Sequence, residues 1–314
     1  MDRTATALTL AKEKALDRNL RGNTPQLSRR GFVVALAGAP LLAGAETKIT
    51  VAGHPWVYAA RRPNFDIYGI LDQIFPDMSA AGLDAIELMH TALLPDGAVV
   101  RIRELSKRSR LPVLGTSFGG AMWDRKQHGV ILEQARLVIE RVSALGGRTL
   151  GTSVGDAQQR KTEEQLDAQA ELLRKIIAIC NDHGVVVNLH NHIYEVADGE
   201  HDLKGTLSRI PGVRLGPDLN WLVRAGVDPV DFIGRYGNRI VYAHLRDQKA
   251  DGRWCEAMGE GVTDYAAIAA AFRKARFHGD VAIELAHESD FQPTRSYRES
   301  FAISRKYVRR VMGW

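Results

Sequence analysis

The sequence predicts an α/β protein, a (β/α)8 barrel, and three observations carry the prediction. Short β-branched runs alternate with longer amphipathic stretches along the body of the chain. Strand then helix, repeated, means parallel strands, because a parallel neighbour is reached only through a crossover. Eight such runs fall between residues 49 and 286, which matches a closed barrel better than an open doubly wound sheet. Several of the runs end in ionisable residues at their C-terminal side, where barrels place their chemistry.

The elements follow in order. Residues 1–45 hold 7 Lys/Arg against 3 Asp/Glu, and the remainder of the chain holds 35 against 34. The formal charge of +5 is therefore mostly a property of the leader, and the body is near neutral. A near-neutral body excludes nucleic acid as the main partner, since phosphate binding needs a concentrated positive surface. Within the leader, "SRRGFVVALAGAPLLAGAE" sets Ser28, Arg29 and Arg30 before a short apolar run from Phe32 to Leu42, then small residues at Ala43, Gly44 and Ala45. It resembles a twin-arginine export signal, which implies the export machinery as a partner and a periplasmic or otherwise exported location. The apolar run is too short to span a bilayer.

Residues 46–314 read as one barrel domain. The strand candidates are "ITVAG" (49–53), "DAIEL" (84–88), "PVLGTS" (112–117), "RTLGTS" (148–153), "VVVNLH" (185–190), "VRLGPD" (213–218), "IVYAHL" (240–245) and "VAIELA" (281–286). Between the fourth and fifth lies "EEQLDAQAELLRKIIAICNDHG", where Leu166, Leu172, Leu173, Ile176, Ile177 and Cys180 recur at helical spacing and His183-Gly184 supply a stop. The two cysteines, Cys180 and Cys255, make neither a disulfide framework nor a paired metal spacing.

The strand ends supply the candidate site. "NLHNH" offers His190 and His192, the sixth strand Asp218, the seventh His244 with Arg246 and Asp247, and the eighth Glu284. Two imidazoles and two carboxylates from four successive strands form a mixed nitrogen and oxygen shell for one divalent cation. Such a shell suits Mn²⁺, Co²⁺, Fe²⁺ or Zn²⁺, with Mg²⁺ also possible, and the donor types do not choose among them; Mn²⁺ is taken first as the expected cofactor. The expected geometry is convergence of His190, Asp218, His244 and Glu284 on one point, roughly 2.0–2.3 Å from each ligand atom. Asp218 in "PDLN" also has the chemistry of a helix cap. An acid in a strand as apolar as "VAIELA" is costly to bury without a cation beside it. Glu87 in "AIELMH" poses the same question, and either meets substrate or pairs with an inward cation.

From about residue 49 to 310 the chain resembles the sugar phosphate isomerase/epimerase family, which has a xylose-isomerase-like TIM barrel with a divalent metal at the ends of its last four strands. The carrying segments are "LGPDLNWLVRAGVDPV" with Asp218, "VYAHLRDQ" with His244, "AMGEGVTDYAAI" around Glu260, "VAIELAHE" with Glu284, and "GLDAIEL" with Glu87. Two departures stand out. His190 occupies a position where the family usually has a glutamate, and Trp221 one where it often has a histidine that touches substrate.

The resemblance implies a metal-dependent sugar isomerase or epimerase that removes a proton alpha to a carbonyl and passes through an enediolate. Glu284 is the first candidate base, His192 the second base or general acid, and His190 a ligand whose lone pair a metal would occupy. Trp221, Arg246, Lys249, Glu87 and Glu260 are the candidate substrate contacts. An exported enzyme meets few phosphorylated sugars, so the expected substrate is an unphosphorylated keto-sugar or keto-glycoside. Two alternatives stay open: a 3-keto-glycoside lyase that expels the aglycone by 1,2-elimination with the same residues, and a non-catalytic periplasmic carbohydrate-binding barrel. A homo-oligomer is compatible with the composition.

Overall fold

The structure is a computed structural model and describes residues 48–314. The leader and its export reading lie outside the described residues. Eight parallel strands form one sheet: β1 (Val51–His54), β2 (Ala85–Met89), β3 (Val113–Gly119), β4 (Thr149–Ser153), β5 (Val186–Leu189), β6 (Arg214–Leu215), β7 (Tyr242–Leu245) and β8 (Asp280–Glu284). Each expected strand is present, with its ends shifted by a few residues. The ladder runs β6-β5-β4-β3-β2-β1-β8-β7, and the β6/β7 seam is bridged only at Leu215↔Ile240 and Asp218↔His244. The sixth strand is shorter than expected. Pro217 has no N–H for the ladder, so regular pairing stops before it.

The crossovers are α1 (Leu71–Ala80), α2 (Ala98–Ser109), α3 (His128–Ala144), α4 (Glu163–Asp182), α5 (Ile193–Arg209), the pair α6 (Leu219–Arg224) and α7 (Pro229–Tyr236), α8 (Tyr265–Lys274) and α9 (Tyr297–Met312). The longest, α4, starts in a capping box in which Thr162 and Gln165 satisfy each other's backbone N–H. It ends at His183 with Gly184 in the left-handed region. Its inward face is Leu166, Leu172, Leu173, Ile176, Ile179 and Cys180, whereas Ile177 is only half-buried. No described helix is long and apolar enough to cross a membrane.

The main core lies between the sheet and the helices. A second apolar cluster, Ala52, Ala85, Leu114, Tyr242 and Ala282, occupies five different strands. Also buried on the strands are Glu87, Asn188, Thr149 and His244. The repeated "LGTS" runs are the third and fourth strands, and their glycines make room. A Cβ on Gly115 would collide with the Thr149 backbone, and one on Gly151 would press on Glu87 Oε1 at 3.3 Å.

Candidate metal centre and substrate cavity

His190 follows β5, Asp218 caps α6, and His244 sits inside β7; one ligand atom from each lies within 4.8 Å of the other two. Asp218 does both things its sequence context allowed. Its Oδ1 accepts from Asn220 N at 2.9 Å and Trp221 N at 3.0 Å, while Oδ2 faces the Arg246 guanidinium. Asn191, between the two histidines, fixes the end of the sixth strand: its Oδ1 accepts from Asp218 N and its Nδ2 donates to Asp218 O.

His244 is held by two acids. Its Nε2 lies 2.7 Å from Glu87 Oε2, which also accepts from Tyr242 OH at 2.9 Å. Its Nδ1 is 2.5 Å from Glu284 Oε2, and both of those atoms are buried outside any hydrogen bond. Burial opposes charge on His244, but Glu87 and Glu284 outweigh it and push the imidazole well above its usual range. The acids respond in kind. Burial would raise Glu284, yet Arg246, His54 and His244 hold it well below the usual carboxylate range, and His244 and His54 likewise bring Glu87 down against its burial.

His190 behaves oppositely. Burial and the neighbouring His244 and His192 push it well below the ordinary imidazole range, so it is neutral and keeps a lone pair to offer. His54 is lowered by burial. Its Nδ1 accepts from Trp56 N at 3.3 Å and its Nε2 meets Ser117 Oγ at 3.2 Å, as befits a neutral ring.

The donor set fits a divalent cation. Glu87 accepts the hydrogen bond from Nε2–H of His244 and leaves Nδ1 turned toward Glu284, the carboxylate–histidine arrangement that orients metal ligands. Charge agrees as well. Three carboxylates, Glu87, Asp218 and Glu284, face one guanidinium and one imidazolium. A divalent cation in place of the His244 proton brings that excess negative charge to zero. His190, Asp218 and His244 would hold it, with Glu284 beside them and Arg246 sharing the two carboxylates.

His192 opens α5 and sits in a polar cage. Tyr194 OH lies 3.1 Å from its Nδ1, and Ser153 Oγ 3.4 Å. Glu195 accepts from His192 N at 2.6 Å and from Ser153 Oγ at 2.7 Å. Burial lowers the His192 imidazole, but Glu195, Asp218 and Glu284 together raise it on balance.

Two chambers meet over these residues. The inner, of about 190 Å³, is bordered by His54, Glu87, Ser153, His190 and His244. The outer, of about 610 Å³, is bordered by Trp221, Arg246, Trp254, His287, Glu288 and Tyr297. Trp56, His192 and Glu284 border both, which puts the proposed base and acid at the junction.

The structure thus groups His190, Asp218 and His244 as expected, with Arg246, His192 and Trp221 nearby, but the expected four-ligand convergence is met by three: Glu284 lies against His244 and Arg246 outside that group. Glu87, fully buried at the border of the inner chamber, pairs with His244, as its position in an apolar strand also allowed. Two expectations of substrate contact are corrected. Lys249 is exposed on the loop after β7 and borders neither chamber. Glu260 is also exposed, pairs with Arg295 and accepts from Ala257 N, so it closes its own loop. That Gly-Glu-Gly loop wraps Asp247, whose carboxylate accepts from the N–H groups of Gly259, Gly261 and Thr263. Sequence reasoning missed His54, Ser153 and Glu195. His54 ends the first strand and was accessible to the strand-end rule. Glu195 was visible only as the acid three residues after His192.

Fold and site together define a TIM-barrel protein with a buried cluster of histidines and carboxylates at the C-terminal mouth. The chain belongs to the xylose isomerase-like TIM barrel family, whose model matches residues 75–307. An inosose dehydratase of Geobacillus kaustophilus (strain HTA426) is 27% identical over 95 residues, 30% of this chain and 31% of that protein's length. Among solved structures, D-allulose 3-epimerase from Methylomonas sp. in complex with D-allulose superposes with a TM-score of 0.68 at 16% identity, covering 84% of this chain and 98% of the other. The 3-keto-D-glucoside 4-epimerase of E. coli superposes with a TM-score of 0.63 at 16% identity, covering 82% and 100%.

Proposed function

We propose that this protein is a sugar isomerase or epimerase that works on an unphosphorylated keto-sugar or keto-glycoside by proton transfer alpha to a carbonyl, with a divalent cation as cofactor. One observation carries the reading: Glu284 and His192 border both chambers beside a donor set fit for a cation. When bound, the cation supplies Lewis-acid polarisation of the substrate carbonyl and the adjacent hydroxyl. Glu284, held ionised by Arg246, His54 and His244, takes the proton from the carbon next to the carbonyl. Arg246 compensates the negative charge that moves onto the substrate oxygens. His192, inclined to its protonated form by Glu195, returns a proton to the substrate. The chemistries named for the solved epimerases and the dehydratase are of the kind this machinery can perform.

A second reading keeps every residue in place. If His192 protonates a leaving oxygen instead of carbon, the same enediolate expels the aglycone and the enzyme is a lyase. The raised His192 favours it, because a group inclined to its acid form is suited to protonating a departing alkoxide. The test is metal-loaded protein in deuterated water with a 3-keto-glucoside and, separately, free ketohexoses, followed by proton NMR and mass spectrometry. Deuterium at carbon with the glycosidic bond intact supports epimerisation, and aglycone release with an unsaturated keto-sugar moves the reaction to the lyase. Absence of exchange with any metal defeats both and leaves a carbohydrate-binding barrel.

The leader places this chemistry outside the cytoplasm in our proposal. Replacing Arg29 and Arg30 together by Lys then retains the protein in the cytoplasmic fraction, and unchanged fractionation rejects the twin-arginine reading.

A further inference from the structure

The outer chamber is about three times the size of the inner one, and its far wall has no part in the proton transfers. That wall is built around Trp254, on the loop after β7. Its backbone N–H donates to Glu288 Oε1 at 2.9 Å, its indole N–H to Asn220 Oδ1 at 2.8 Å, and the Arg224 guanidinium lies 3.9 Å from its ring centre. Trp221 meets it edge-on at 5.5 Å. Trp56, on the helical turn after β1, is packed on Phe65 and borders the same space. Of the partners that fix these rings, Asn220, Arg224 and Phe65 lie outside the chamber's border.

Two polar side chains border this wall with atoms left over. His287 Nε2 and Glu288 Oε2 are buried and take part in no hydrogen bond. Unmatched buried polar atoms are rare in folded proteins and call for a specific account. Cavities that pair rigid aromatic surface with a few convergent polar groups are built for ligands of mixed character. A phosphate fits poorly. Arg246 is committed to Asp218 and Glu284, Arg224 to its aromatic neighbours and Glu288, Arg61 on the chamber's border donates to Phe291 O, and Glu284 and Glu288 would repel the anion.

From this we infer that the outer chamber is a second subsite, which holds an uncharged, hydroxyl-bearing ring joined to the reacting keto-sugar. The substrate is then a two-ring keto-glycoside, with its second ring against Trp254, Trp221 and Trp56 and its hydroxyls on Glu288 and His287. The inference rests on the keto-sugar reading above and narrows it. Two sources share this chemistry, a second sugar and a phenolic aglycone.

The test compares metal-loaded protein on methyl 3-keto-glucoside, 3-keto-cellobiose and hydroxyphenyl 3-keto-glucoside, with kcat/KM read from deuterium incorporation or product release. A two-ring substrate is expected to exceed the methyl glycoside by about 30-fold or more. The better of the two names the source. In Glu288→Gln and His287→Ala that ratio falls to about 3-fold or less, and because it is taken within one variant it is independent of how much protein folds. Tryptophan fluorescence titrated with cellobiose and with glucose gives a readout apart from turnover, with saturable quenching expected for cellobiose at the lower concentration. Equal kcat/KM for one- and two-ring substrates overturns the subsite and leaves the reaction standing. Saturable cellobiose binding without exchange on any keto-sugar overturns the reaction and keeps the subsite.

Discussion

Glu87 decides what His244 can do. An acid buried with no exposure is tolerable only because the imidazole and the Tyr242 hydroxyl meet it, and in accepting from Nε2–H it leaves Nδ1 for a cation. Glu87→Gln is therefore expected to weaken Mn²⁺ affinity by about 10–100-fold, measured by calorimetric titration, with the direct ligands untouched. Unchanged affinity would make Glu87 a packing residue. The same pair sets a pH dependence. Glu87 and Glu284 are held below the ordinary value of 4.5, so their contribution to stability is present above that pH and is lost as pH falls through their folded values. His244 is raised above 6.5, so its contribution is full below 6.5 and is lost as pH rises through its folded value. Metal-free protein should accordingly lose thermal stability in acid, and Glu87→Gln should flatten that acid limb. At His192 the expectation is kinetic: His192→Gln lowers kcat by about 10²–10⁴-fold with a smaller change in KM.

At the scale of elements, the site is made where strands stop and helices start. In the proposed chemistry His190-Asn191-His192 divides its labour among a neutral ligand, a strap and a proton donor, all within the turn from β5 to α5. Asn191→Ala removes both hydrogen bonds to the Asp218 backbone and should cost about 1–3 kcal/mol, with weaker metal binding in the same titration. Thr162→Ala, at the cap of α4 and remote from the mouth, should cost about 1 kcal/mol in thermal unfolding and leave metal affinity as it was. If both variants shift stability alone, the strap has no role in the site. This division explains what the sequence made legible. Strand position was readable from short apolar runs, and Asp218, His244 and Glu284 were readable because an ionisable residue at the end of such a run has few other reasons to be there. Lys249 and Glu260 were misplaced because loop residues carry no periodicity that tells a cavity wall from an outer face. Trp254 escaped for the same reason: its place depends on Asn220 and Glu288, each more than 30 residues away.

Across the whole molecule, the proposed ligands lie at the weakest part of the barrel. β6 and β7 share only isolated bridges, one of them between Asp218 and His244 themselves, and β6 meets β5 through two residue pairs alone. Apart from β1 and β2, which also share two pairs, the remaining neighbours are joined by longer ladders; β3 and β4, for instance, pair through five residues. A cation held by His190, Asp218 and His244 would tie the ends of β5, β6 and β7 across that seam. Opening there would require its release, so protection should rise with occupancy roughly as one plus concentration over Kd, about 100-fold at 100 times Kd. The amides to follow are Val241, which donates to Leu215 O, and His244, which donates to Pro217 O, both at 2.9 Å. Hydrogen exchange with and without Mn²⁺ should slow at these positions more than at the amides between β3 and β4, and a chelator should reverse it. Protection spread evenly over the sheet would mean that the cation stabilises the fold as a whole and does not close the seam. Protection absent from the seam would remove the cation from this mouth and with it the chemistry assigned to Glu284 and His192.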